Sequence, residues 1–381
     1  MTLSRNAQVT LALALAALMA AFLILDRWMV TDLGVRSFGR IWAFYINYAD
    51  FGFVRRGLVG TILQGTALTS LFSNAYHFAI AVQHAAIVVL IALTAIYFLR
   101  LRHDPGLLFK AVVFLSPAFI LQVAYTTGSL DIFVLILVFL NILMVRNVLL
   151  FSALLFVGPL VHELFLFTVP AQLTALLIRK DCDPLADFGR AVRLLALPIA
   201  AMAAAVVTVA LFGAVDLPRA QYDATMARLI PHAVGQIDLW SGYFEVGSSI
   251  DENSRSLGFL VSQLFNHSLF LLIPVAYAGF ALLLLLRNEQ RPLFRLLLVA
   301  SCVAPLLVYV VATDLYRWVG MSANMSLLLL MSYGARQPLK LGRTPLVILL
   351  VFSLFAPFGG AVIDNPLPMH KFVMKKLGFA D

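Results

Sequence analysis

The chain alternates long apolar runs with short polar interruptions. The first run, residues 9–25, reads VTLALALAALMAAFLIL. Ten more of spanning or near-spanning length follow at about 76–99, 109–125, 131–145, 148–161, 164–178, 194–213, 267–286, 296–313, 318–333 and 345–363. The pattern predicts an all-α polytopic membrane protein of about 11 transmembrane helices. Only Arg5 is charged ahead of the first run, and no small-residue cleavage site precedes Asp26 and Arg27, so this run reads as an uncleaved helix. No repeat, low-complexity tract or hydrophilic linker divides residues 1–381, which read as a single transmembrane domain.

The polar interruptions differ in charge, and charge orients the chain. RLRHDPGLLFK (100–110), RN (146–147), RKDCDPLADFGRAVR (179–193), RNEQRPLFR (287–295) and RQPLKLGR (336–343) together carry 14 Lys or Arg and read as cytoplasmic loops. The opposite side receives two long segments, about 26–75 and 214–266. It also receives three tight turns, TTGSLD (126–131), VHE (161–163) and TDLYRW (313–318), whose only basic residue is Arg317. The amino terminus is then cytoplasmic, and an odd number of spans places the carboxyl terminus outside.

Composition excludes several function classes. At 62% hydrophobic and 12% charged residues, with a mean hydropathy of +0.96, the chain is no soluble domain. The net charge of +8 sits mostly in the short connectors, where it sets orientation, so nucleic acid is not the expected partner. Cys182 and Cys302 lie far apart, one in a polar connector and one in an apolar run, which suggests neither a disulfide framework nor a thiolate metal site.

The candidate chemistry falls on the outer face. Asp50, Arg55, Arg56, Asp131, His162, Glu163, Asp314 and Arg317 all lie at ends of runs on that side, a pattern expected of a shared polar site. Asp131 follows Ser129 at the start of a run, where helix capping is the first reading, and Asp314 and Arg317 are spaced to pair with each other. His162 and Glu163 interrupt LLFVGPLVHELFLFTVP, where burying them is costly without partners. Leu166 occupies the position where a zinc protease would need its second histidine. The stretch YADFGFVRRGLVG (48–60) opens what reads as an interfacial helix from Val54, with Leu58, Ile62, Leu63 and Leu68 on its apolar side and the arginines in its first turn. Paired guanidiniums at a helix start describe a phosphate site, against the plainer reading that they reach lipid headgroups. In LWSGYFEVGSSIDENSRS (239–256), Trp240, Tyr243 and Phe244 offer stacking faces for an acceptor, with Glu245 and Asp251 for hydroxyl contacts, or else pack on the membrane surface.

An acid in a first outer loop with interfacial helices, on a bundle of about 11 spans with further polar residues at its outer helix ends, resembles the GT-C superfamily of membrane glycosyltransferases. The resemblance implies a polyprenyl-phosphate-linked sugar as donor, a glycan or lipid acceptor, and a bacterial inner-membrane location with a periplasmic active face. It implies Asp50 as base or metal ligand, and Arg55 and Arg56 as holders of the lipid phosphate. Many members carry an adjacent acidic pair where this chain has Asp50 alone, so a divalent cation, Mg or Mn, would have Asp50 as its candidate ligand. From residue chemistry, the base is Asp50 or Glu163 with His162 beside it, and Arg317 joins the phosphate clamp. Asp131, Asp314, Trp240 and Tyr243 complete the expected substrate contacts. The rival expectations are a carrier or flippase for a lipid-linked or anionic solute, a polysaccharide polymerase or ligase, and a non-catalytic assembly subunit.

Overall fold

The computed structural model describes residues 4–30, 41–66, 68–72, 75–121, 128–215, 217–230, 242–243, 247, 272, 274–310 and 315–355, and every regular element among them is helical. In chain order the helices are α1 (Arg5–Val30), α2 (Tyr48–Phe51), α3 (Gly57–Gly65), α4 (Ala75–Arg100), α5 (Leu107–Phe114), α6 (Asp131–Phe139), α7 (Val148–Val161) and α8 (Val169–Lys180). They continue with α9 (Phe188–Phe212), α10 (Arg219–Leu229), α11 (Pro274–Leu286), α12 (Pro292–Val303), α13 (Leu315–Gly334) and α14 (Arg343–Phe355). Among the described residues three stretches are long and apolar enough to cross a membrane, His77–Arg100, Phe188–Phe212 and Pro292–Val310. Leu107–Phe119, Asp131–Met144, Val148–Val161, Pro274–Leu286 and Arg343–Ser353 are shorter apolar helices. With the shorter helices these make eight, so the expected 11 spans require α1, α8 and α13 to cross as well.

The core forms around α13, whose residues 317–334 are all buried. It packs on α8, α12 and the π-helical turns Pro117–Leu121 and Leu140–Met144. A helix surrounded by apolar neighbours must satisfy its polar groups locally or across the contact. Ser326 accordingly donates to the carbonyl of Ser322 at 3.1 Å, and Asn324 to that of Ala118 at 2.6 Å. Asn141, carried inward by the second π turn, donates to Gln172 at 2.8 Å, and Gln172 donates to Thr168 at 2.8 Å, joining α6 to the start of α8. The hydroxyls of Thr174 and Ser301 meet at 2.8 Å and join α8 to α12.

The basic connectors gather at one end of the bundle. Arg5 donates to the Phe98 carbonyl at 2.6 and 3.1 Å, and fully buried Lys110 reaches both Asp104 at 2.8 Å and Gln8 at 3.0 Å. Arg291 pairs with Asp183 at 3.5 Å and Arg336 with Asp181 at 2.9 Å, while Arg179 and Arg336 donate to the carbonyls of Val145 and Ile178. Tyr97 donates to the Met331 carbonyl and brings the ends of α4 and α13 together. These cations complete helix-end carbonyls that have no partner within their own helix.

At the periphery α9 packs along α7 and buries only Ala191, Pro198 and Ala205, seven residues apart on one stripe. Small residues at that spacing let the two backbones approach closely. The first long outer segment packs differently. The 3₁₀ turn Ile41–Phe44 is fully buried, and α3 lies against the chain beside it. A Cβ on Gly60 would stand 1.9 Å from the Ile46 carbonyl oxygen, so only glycine allows this contact. Of the expected apolar side of α3, Leu63 is buried and Leu58 partly so, while Ile62 and Leu68 are exposed.

Gly60→Ala is therefore expected to push α3 off residue 46 and to destabilise the protein by about 1–3 kcal/mol. Gly65→Ala, where nothing lies within 4 Å of the added carbon, should leave the thermal midpoint in detergent unchanged. Equal midpoints for the two variants would show that the close approach is not needed.

Candidate functional site

The first outer segment delivers its charges through two short helices rather than one. Asn47 caps α2: its Oδ1 accepts the Asp50 N–H at 2.9 Å, and its Nδ2 donates to Asp50 Oδ2 at 2.8 Å and to the Tyr45 carbonyl at 3.1 Å. The chain leaves α2 at Gly52 with φ +69°. The expectation that Arg55 and Arg56 sit in the first turn of a helix from Val54 is corrected here, because α3 begins only at Gly57 and both arginines precede it. Arg56 takes φ +64°, ψ 3°, a left-handed conformation that no helix interior accommodates and that is uncommon for a residue with a side chain. The Arg55 N–H is held by the Gly213 carbonyl at 2.9 Å, which ties the segment to the residue after α9.

This backbone aims Arg56 at the VHE turn. Arg56 Nε donates to Glu163 Oε2 at 2.7 Å and Nη2 to Oε1 at 2.9 Å, a two-pronged bond, and Arg55 Nη1 stands 3.8 Å from Oε1. Glu163 is at the right place because α7 stops and reverses at His162. A Cβ on Gly158 would fall 2.2 Å from the Phe165 ring, so the returning chain folds flat against that glycine. His162 adopts extended backbone and its Nδ1 accepts the Leu164 N–H at 3.0 Å, capping the 3₁₀ segment Glu163–Thr168. Nδ1 also lies 3.3 Å from Glu163 Oε2. With its lone pair already engaged, that nitrogen carries no proton, and the imidazole is neutral with its proton on Nε2.

Electrostatics follow from this geometry in the turn between the two helices. Burial pulls His162 down to about 3, with the Arg56 charge acting in the same direction against Glu163 and Asp131. For Glu163, burial pushes the carboxyl up, and the surrounding charges, Arg56 foremost, together with the Arg56 hydrogen bond outweigh it, leaving the group well below the usual carboxylate range. Glu163 is thus a held counter-ion and a weak base, and His162 a cap.

Beside the turn, Arg317 donates twice to Asp131 with both side chains buried, and its guanidinium lies 4.8 Å over the Trp318 ring. Asp131 occupies the first turn of α6, its N–H near Ser129 Oγ at 3.3 Å, but its carboxylate belongs to this ion pair and does not cap the helix. Arg317, expected to pair with Asp314, pairs with Asp131 and joins the start of α13 to the start of α6. Asp314 itself lies outside the described residues, as do Trp240, Phe244, Glu245 and Asp251. Charges from Arg56, Glu163, Asp131 and Arg317 all act on His162, so the two ion pairs form one cluster.

Asp50 stands at the rim. Besides Asn47 it meets Arg228, at the end of α10, whose side chain is 68% exposed against 20% for Asp50. Sequence reading passed over Arg228, and its only signal was a cation in the last turn of a helix in the second outer segment. That segment docks on the first through Tyr222, 5.8 Å from Phe51 and 5.4 Å from Tyr243. Tyr243 donates to the Leu217 carbonyl at 3.1 Å and lies 5.2 Å under Arg219, so its expected role as a stacking face is taken up by the fold. Both Asp50 oxygens face hydrogen-bond donors, a set that does not fit Mg or Mn. Among the described residues no cluster of three His, Cys, Asp or Glu offers another cation site.

Comparison with known protein families, curated proteins and solved structures gives no match.

The His162 assignment has a pH signature. With the native value near 3 and the ordinary one at 6.5, the unfolded chain binds a proton in this window that the native chain refuses. Stability should therefore fall as pH drops below 6.5, by about 1.4 kcal/mol per unit. His162→Asn keeps a capping oxygen without titrating. Its melting temperature should change less between pH 7 and 5 than that of the wild type, and parallel curves would refute the buried neutral imidazole.

Proposed function

We propose that the chain is an integral-membrane glycosyltransferase that moves a sugar from a polyprenyl-phosphate carrier to a glycan or lipid acceptor at the outer face of a bacterial inner membrane. The proposal includes the shorter apolar helices crossing as spans, together with α1, α8 and α13, about 11 in all. One observation carries it: Asp50, Arg55 and Arg56, the VHE turn, the Asp131–Arg317 pair and Arg228 come together from five separate parts of the chain, away from the end that holds the basic connectors.

The acceptor hydroxyl attacks the anomeric carbon, its proton passes to the Asp50 carboxylate, and the carbon–oxygen bond to phosphate breaks with its electron pair leaving on the phosphate. Arg55 and Arg56 stabilise that leaving charge, since two guanidiniums converging on a carboxylate present the geometry that also fits phosphate. Glu163 positions the arginines. Asp131 and Arg317 fix the ends of α6 and α13 behind them. Asn47 orients Asp50 from below.

Asp50→Asn keeps the Asn47 contacts nearly isosteric and should lower the transfer rate about 100- to 10,000-fold, read with purified protein, a polyprenyl-phosphate sugar and a candidate acceptor. Transfer at the wild-type rate would reject the assignment in favour of a carrier for a lipid-linked solute. Orientation is checked separately. Reporters after Pro105, Leu185 and Lys340 should read cytoplasmic and one after Ile230 periplasmic, and a cytoplasmic signal at Ile230 would move the charged cluster to the wrong face.

A further inference from the structure

Two acids of the outer cluster are enclosed by cations, but they are enclosed differently. Glu163 is gripped through two bonds by a largely buried guanidinium. Asp50 has its two oxygens assigned to two partners of unlike character. Oδ2 is held at 2.8 Å by Asn47, a side chain itself 1% exposed and anchored to the Tyr45 carbonyl. Oδ1 is held by Arg228 alone among the described residues, from a side chain that is 68% exposed on a helix belonging to another segment. The orientation of Asp50 therefore does not depend on Arg228, whereas access to Oδ1 does. An exposed guanidinium pays little to change partners, because water and an incoming anion replace what it loses.

We propose that Arg228 is a mobile cation of the donor site: it covers Asp50 Oδ1 in the empty protein and moves to the phosphate of the incoming lipid carrier, uncovering the oxygen that takes the proton. This rests on the glycosyl-transfer reading given above. Binding of the donor and exposure of the base are then one event. A carrier phosphate competes with Asp50 for the same fork of donors, so the acid is released only when a donor is present to use it. The end of α10 is suited to this role. The helix is fixed to the first outer segment by Tyr222 packed on Phe51 and stiffened within its own first turns by Arg219 paired with Asp223 at 2.7 Å, which leaves the long Arg228 side chain as the moving part.

The exchange predicts a sign that simple charge attraction does not. Binding of a sugar-free polyprenyl phosphate to the full-length protein in nanodiscs is measured for wild type, Arg228→Ala, Asp50→Asn and the double variant. Arg228→Ala should weaken binding roughly tenfold, with Arg228→Lys between it and wild type. Asp50→Asn should tighten binding several-fold by freeing Arg228, and that gain should vanish in the Arg228→Ala background. A gain of equal size in both backgrounds means that Asp50 merely repels phosphate, and overturns the exchange. So does unchanged affinity in Arg228→Ala. Both outcomes are separate from failure of the parent reading, which would appear as wild-type sugar transfer by Asp50→Asn.

Discussion

A guanidinium enclosed by a helical bundle has to find an acid or a free carbonyl, because a buried charge left without a partner is costly. In this protein that requirement joins parts of the chain that are far apart in sequence. Arg56 reaches Glu163, 107 residues on, and Arg317 reaches back 186 residues to Asp131. Removing one partner of such a pair strands the other charge and costs several kcal/mol, far more than an exposed pair contributes. The backbone around each pair is shaped to serve it. Arg56 accepts a left-handed conformation, and the chain reverses at His162 over a glycine that leaves room for the Phe165 ring.

The two ends of the bundle use cations for opposite purposes. At the basic end Arg5, Arg179, Arg295 and Arg336 donate to backbone carbonyls of Phe98, Val145, Glu289 and Ile178, so their charge is spent on finishing helices. Glu289 there is enclosed by Arg291, the Tyr333 hydroxyl at 2.6 Å and two backbone N–H groups. At the other end the arginines face carboxylates, whose geometry an anionic ligand shares.

Hydropathy located the helices well where a helix is apolar along its whole length. The runs at 76–99 and 148–161 became α4 and α7 almost residue for residue. It placed the start of the run at 194 late, because the amphipathic turn FGRAVR belongs to α9 and carries arginines on its exposed side. The site was legible as a set of residues on one face and illegible as a set of partners. Nothing local distinguishes Asp131 as a cap from Asp131 as a counter-ion, since that depends on where α13 begins. Nor could residue type reveal that His162 spends its Nδ1 on a backbone N–H. Arg228 was hidden for a related reason: its meaning comes only from the docking of α10 on the first outer segment, and aromatic packing around Tyr222 decides that docking.

The narrow stripe of Ala191, Pro198 and Ala205 bears on how the protein comes together. This helix, α9, packs closely along essentially one neighbour, with Leu194, Leu195 and Met202 partly buried beside the stripe, and turns the rest of its surface outward. Yet the residue that anchors the Arg55 N–H, Gly213, follows directly on this helix, and α10 comes soon after. The charged cluster is thus tied, through Gly213, to a helix with most of its surface turned outward. Lipids that press on the flank of α9 would act on the charged site from a distance, without touching it.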